Sequence, residues 1–104
     1  MRVVEKKMVA AVKARKNMRC GSTTVSNHEN TTTVFLHRNP IAVVDWNDNT
    51  ITVDNCGWET VTTKSRLNAV LREFTDTGIH QHQWVWYMEK EEFVSGTCVP
   101  MTSK

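Results

Sequence analysis

The amino-acid sequence predicts an α+β domain in which an antiparallel sheet carries helices on one face. Two stretches repeat apolar residues at helical spacing: Val4, Met8, Ala11 and Val12 near the start, and Leu67, Val70, Leu71 and Phe74 further on. Between them lies a segment rich in Thr, Val and Ile, the residues that suit a pleated, half-buried surface, cut at short intervals by turn formers. At 104 residues the chain has the size of one domain. We read residues 1–104 as one unit, with a basic amphipathic helix over 1–19 and an α+β body over 22–104.

The first helix is predicted over residues 3–18, where Ala10, Ala11, Ala14 and the Lys and Arg residues favour helix and Gly21 supplies a stop. Its like charges repel, so it needs docking or a partner to persist. An antiparallel meander of three to four strands follows, at Thr23–Asn27, Thr32–His37, Ile41–Trp46 and Thr50–Asp54. His28-Glu29-Asn30, Arg38-Asn39-Pro40 and Asn47-Asp48-Asn49 are its links, since Pro lacks a ladder donor and Asn and Asp tolerate left-handed backbone. A second helix, packed on the sheet, is predicted over Lys64–Thr75. Thr62 or Thr63 would cap its start and Gly78 would stop it. His82–Met88 reads as a strand with Trp84 and Trp86 on one core-facing side and Val85 and Tyr87 outward. Glu89–Glu92 reads as a charged turn and Phe93–Val99 as a last short strand.

Composition excludes several classes. No run approaches the roughly 20 apolar residues that a spanning helix needs, and the opening Met-Arg-Val-Val-Glu-Lys-Lys is not a secretory signal, so a cytoplasmic setting is expected and no membrane. Cys20, Cys56 and Cys98 are odd in number and widely spaced, as reduced thiols are. The net charge of +2 hides a polarity. Residues 1–19 hold Arg2, Lys6, Lys7, Lys13, Arg15, Lys16 and Arg19 against Glu5 alone, whereas the remaining 85 residues hold six basic and ten acidic side chains. Such a distribution steers polyanions to one end of a molecule.

No catalytic, metal or cofactor signature emerges. His80-Gln81-His82 on a strand would aim both imidazoles to one face, but a zinc site needs a third ligand and no other His or Cys stands near in sequence. Cys56, beside Gly57 and close to a helix start, has no assignable base. Phosphate-loop, dinucleotide-fold and Gly-x-Ser-x-Gly patterns are lacking, and Glu91-Glu92 falls in a solvated turn. No enzymatic activity and no cofactor are therefore expected. Thr62-Thr63-Lys64-Ser65-Arg66, opening a helix with hydroxyls and two cations predicted to be exposed, offers a phosphate seat.

The segments Leu36-His37-x-x-x-Ile41-Ala42 and Gly57-Trp58-x-Thr60-x-Thr62-Thr63-Lys64-x-Arg66-Leu67-Asn68 resemble a group of short uncharacterised proteins of tailed bacteriophages, over roughly residues 34–71. The first departs from the look-alikes' Leu-His-Gly by placing Arg38 after His37, which suggests a looser turn. The resemblance implies a small accessory protein in the cytoplasm of an infected bacterium, and no catalytic role. The function expected is binding. Nucleic acid would be held through phosphates by Lys6, Lys7, Lys13, Arg15, Lys16 and Arg19, joined by Lys64 and Arg66. Alternatives are a host or phage protein, whose groove would take the stripe Val4, Met8, Ala11 and Val12, and a homodimer through that same stripe. If the first helix serves only to bind, deleting residues 1–19 leaves the body folded.

Overall fold

The computed structural model describes residues 2–102 as two helices and nine strands. Helix α1 spans Val3–Ala14 and is followed by β1 (Met18–Cys20), β2 (Thr23–His28), β3 (Thr31–Leu36), β4 (Asn39–Asp45) and β5 (Thr50–Val53). Helix α2 spans Val61–Phe74, and β6 (Ile79–His82), β7 (Val85–Met88), β8 (Glu91–Glu92) and β9 (Thr97–Pro100) close the chain. The α+β class stands. The sheet is larger than expected, six strands in the antiparallel order β1-β2-β3-β4-β5-β9, beside a separate three-stranded sheet β6-β7-β8.

One face of the large sheet is the core. Val25, Val34, Leu36, Ile41, Val44, Ile51 and Val53 point into it, and α1 and α2 cover it with Met8, Val9, Val12, Leu67, Val70 and Leu71. The register shifts between Val34 and Phe35, which pair with Ala42 and Pro40, so Ile41 is an extra residue in β4. This bulge lets Ile41 and Ala42 both point inward, and it admits Pro40 to a strand, where a missing donor would otherwise break the ladder. The opposite face is half-buried, rich in Thr and carries no helix: Thr24, Thr33 and Thr52 lie on it with Phe35 and Val43.

Helix α1 is shorter than predicted. Arg15 turns into the left-handed region (φ 51°), and the amides of Arg15 and Lys16 bond back to Val12 O and Ala11 O at 3.1 and 2.9 Å, closing the helix before β1. Glycine is the usual residue at such a stop; here the Arg15 guanidinium lies 4.2 Å from the centre of the Trp46 ring, a contact that offsets part of the strain. Arg19 consequently belongs to a strand. Its partner Thr24 belongs to the face away from the helices, while Met18 packs on the core.

Helix α2 starts earlier than expected, because Thr60, and neither Thr62 nor Thr63, accepts the capping bond from Thr63 N (3.1 Å). It ends at Thr75, whose amide bonds Leu71 O, so Gly78 is not the stop. Gly78 instead makes room for Asn68: a Cβ there would meet Asn68 Oδ1 at 3.1 Å. That amide clamps Ile79, donating to Ile79 O and accepting from Ile79 N at 2.8 and 2.6 Å, which fixes β6 against the helix.

Two hairpins turn on two residues each with positive φ. His37 and Arg38 (51° and 72°) join β3 to β4. The looser turn expected around Arg38 is thus a tight one, forced by pairing of Leu36 with Asn39. Arg38→Gly is expected to raise stability by about 0.5–1 kcal/mol, since the left-handed strain outweighs the extra unfolded-chain entropy of glycine. A thermal melt checks this: a rise of about 4 °C is expected, and a fall would contradict the turn assignment. The second hairpin turns at Gln83 and Trp84 (49° and 72°). It breaks the predicted His82–Met88 strand, leaving Trp84 88% exposed while Trp86 stays in the core beside Phe93. Glu91 and Glu92, predicted as a turn, form β8.

Candidate nucleic-acid interface

The helical layer gathers the positive charge. Residues 2–16 and 61–74 hold nine basic and two acidic side chains, and the rest of the chain four basic and nine acidic. Both acids in the layer are neutralised internally. Glu73 pairs with Lys13 at 2.7 Å, and Glu5 pairs with Arg66 at 2.6 Å.

The Glu5–Arg66 pair corrects one expectation. Arg66 is 7% exposed and cannot reach a partner. Its Nε donates to Thr23 Oγ1 at 3.1 Å, its Nη1 donates to Glu5 Oε2, and that carboxylate also accepts from Ser65 Oγ. One buried network thus ties α1, α2 and β2 together. The apolar stripe is a second correction. Met8, Ala11 and Val12 are buried under the protein's own sheet, with Val4 half-buried, so the face offered to a groove or a symmetry mate is already occupied.

Contacts of Glu5 with Ser65 and Arg66, and of Lys13 with Glu73, show that α1 and α2 run parallel. Their N-termini therefore lie at the same end, where the partial positive charges of both helices add. The amides of Val61 and Thr62 find no acceptor among the described residues, and α1 has no side-chain cap at Arg2. Arg2 and Lys64 line a groove of about 700 Å³ between the helices, with Val61, Ser65, Asn68, Arg72 and the Arg66-paired Glu5 also on its walls. Lys6 and Lys7 stand exposed one turn along α1 and make no ion pair with any described residue. Lys64 Nζ reaches Gln81 Oε1 at 3.3 Å, a long bond to a neutral amide that leaves its charge unmatched.

The other predicted cations stand elsewhere. Lys13, Arg15 and Lys16 sit at the C-terminal end of α1, where positive charge offsets the negative helix end. Lys13 and Arg15 are further engaged by Glu73 and Trp46. Arg19 lies on the far face of the sheet. The structure thus divides the predicted set, bringing Lys6, Lys7 and Lys64 to the end that Arg2 also occupies.

On the other side of the first turn of α2 a second groove, of about 510 Å³, opens between the β3–β4 turn and the segment leading into the helix. Leu36, Ile41 and Thr63 are its buried walls, His37, Asn39, Asn55, Thr60 and Thr62 its polar ones, and Trp58, 59% exposed, stands beside them. Sequence reasoning missed this site. Residues 36–41 meet residues 55–63 only because of sheet register and the path of the loop into α2, for which local pattern gives no signal.

The remaining candidates stay apart. Asp54 and burial raise the Cys56 thiol above its ordinary pKa: desolvation acts first, then the Asp54 charge and its hydrogen bond. The thiol donates to Pro40 O at 3.3 Å and is not an activated nucleophile. His80 stacks on Tyr87 and both His80 and His82 are exposed; among the described residues no group of three or more His, Cys, Asp or Glu could hold a metal ion. No described helix is long and apolar enough to cross a membrane.

Fold and site together define a two-layer α+β protein with a basic helical layer and a neutral groove beside it. The model of the Kyanoviridae Gp96 protein family matches residues 1–100, and the chain belongs to that family of phage proteins. Neither a curated protein nor a solved structure matches it.

Proposed function

We propose that this phage protein acts by binding, without catalysis, and holds nucleic acid through its phosphate backbone in the cytoplasm of the infected host. The observation that carries the reading is the common end of two parallel helices. Their N-termini, Arg2, Lys6, Lys7 and Lys64 meet there; Glu5 beside them is neutralised by Arg66, and Glu59, exposed just before the Thr60 cap, pairs with no described cation. Phosphates take both features, amide dipoles and flexible cations, and neither reads sequence. Docking of α1 on the sheet supports the same reading, since cations on a fixed helix lose little order on binding. The nine acids outside the helical layer disfavour wrapping.

Titration of labelled DNA and RNA at about 50 and 200 mM salt tests it. Affinity is expected to fall steeply with salt, by a power that grows by about 0.9 for each duplex phosphate neutralised. Lack of binding even at the lower salt would overturn the reading. The protein-inhibitor alternative through the apolar stripe of α1 would require Met8 and Val12 to leave the core.

A further inference from the structure

We infer that the groove beside Trp58 takes an unpaired nucleobase, so that the strand held is single. The inference rests on the nucleic-acid reading and names which form of nucleic acid that end of the molecule prefers.

The groove carries no formal charge: its walls are Leu36, Ile41 and three threonines, with His37, Asn39 and Asn55 as the other polar groups. A volume of about 510 Å³ lies within the range of small-molecule sites, which combine apolar walls with a few placed polar groups. The Thr60 and Thr63 hydroxyls bond each other, but part of the groove's hydrogen-bonding capacity is unspent. Among the described residues the Asn39 amide and the Thr62 hydroxyl have no hydrogen-bond partner, and Asn55 commits only its Oδ1, to Gly57 N and Ser95 Oγ at 2.9 Å each, which leaves Nδ2 free. Neutral amides that present donors and acceptors together match the edge of a base, and that edge is open only in single strands.

Trp58 supplies the stacking surface. An indole 59% exposed beside an apolar groove is an unspent aromatic face, and stacking of a base on such a face is tolerant of sequence. Position completes the case. The first turn of α2 separates this groove from the basic one, with Thr60, Thr62 and Thr63 on one side and Val61, Lys64 and Ser65 on the other. A strand whose phosphates lie along Arg2 and Lys64 therefore has a base within reach of Trp58. A duplex would keep its bases stacked and could not fill the groove.

The test compares single-stranded and duplex oligonucleotides of one sequence on the full-length protein, its Trp58→Ala variant and its Trp58→Phe variant. Neutral adenosine and uridine are titrated separately by NMR. Trp58→Ala is expected to weaken single-strand binding about ten-fold, keep the salt slope and leave duplex binding unchanged, with Trp58→Phe close to the parent. The nucleosides are expected to shift resonances of Asn39, Asn55 and Trp58. Equal single-strand affinity of parent and Trp58→Ala, with no nucleoside shifts, would overturn this inference and leave the phosphate reading standing. No binding of any oligonucleotide at low salt would overturn the phosphate reading and this inference with it. Trp58 is largely exposed, so the variants are expected to fold, and a melt verifies it.

Discussion

Arg66→Ala is expected to cost about 3–5 kcal/mol, the usual result of removing one partner from a buried ion pair. Among the described residues the substitution leaves the buried Glu5 carboxylate with only the Ser65 hydroxyl, and strips Thr23 of its donor. Against the 5–15 kcal/mol that holds a domain of this size together, such a loss brings the protein to the edge of unfolding. Urea denaturation measures it, as a fall in midpoint with unchanged slope. A companion variant separates the pair from its packing. Replacing Glu5 by Leu and Arg66 by Met together removes both charges, and is expected to be near neutral or stabilising, because desolvating the two ions cancels most of their attraction. A cost below about 1 kcal/mol for Arg66→Ala would show that the network is solvated and that α1 is loosely held.

Deleting residues 2–16 is expected to abolish cooperative folding. The body is expected not to survive without the helix, contrary to what the charge pattern alone suggests. Met8, Val9, Ala11 and Val12 leave the core together, each buried, and truncating a single large core side chain already costs about 2–5 kcal/mol. The inner faces of Val25, Val34 and Leu36 lose cover, and Arg66 loses its carboxylate. The sum exceeds the stability available. Circular dichroism and urea titration of the truncated chain read the result: loss of a sigmoidal transition is expected, and a folded, soluble body would show that α1 is an accessory arm. The same deletion cannot be used to map binding. Point substitutions of exposed cations are the proper probe.

The sequence made the skeleton legible wherever a period ran uninterrupted. Leu67, Val70, Leu71 and Phe74 marked α2, and a segment rich in Thr, Val and Ile cut by turn formers marked β2 to β5. Ends were misplaced where several residues could do the same job. Five threonines from 60 to 77 can cap, and geometry chose Thr60 at the start and Thr75 at the end. Arg15, Lys16, Met18 and Arg19 are good helix formers, yet the left-handed Arg15 and pairing with β2 override that preference. The two-residue spacing puts Trp84 in the core with Trp86 only if one strand is continuous, and the Gln83–Trp84 turn breaks it.

The candidate site was half legible. Charge counting found the basic end, but could not tell exposed Lys6 and Lys7 and half-buried Lys64 from buried Arg66, whose partner Glu5 is 61 residues away. Nor could it see that the two helices run parallel, which is what places their N-termini together. That depends on a crossover through five strands.

The central claim is that cations at the shared N-terminal end, and not those at the C-terminal end of α1, hold phosphate. The slope of log affinity against log salt, measured for the parent, for Lys6→Gln/Lys7→Gln/Lys64→Gln and for Lys13→Gln, tests it most directly. The triple variant is expected to melt with the parent and to lose about 2 to 3 from the slope, with Lys13→Gln indistinguishable from the parent. A triple variant that keeps the parent's slope and affinity, or a Lys13 variant that loses as much, would contradict the account.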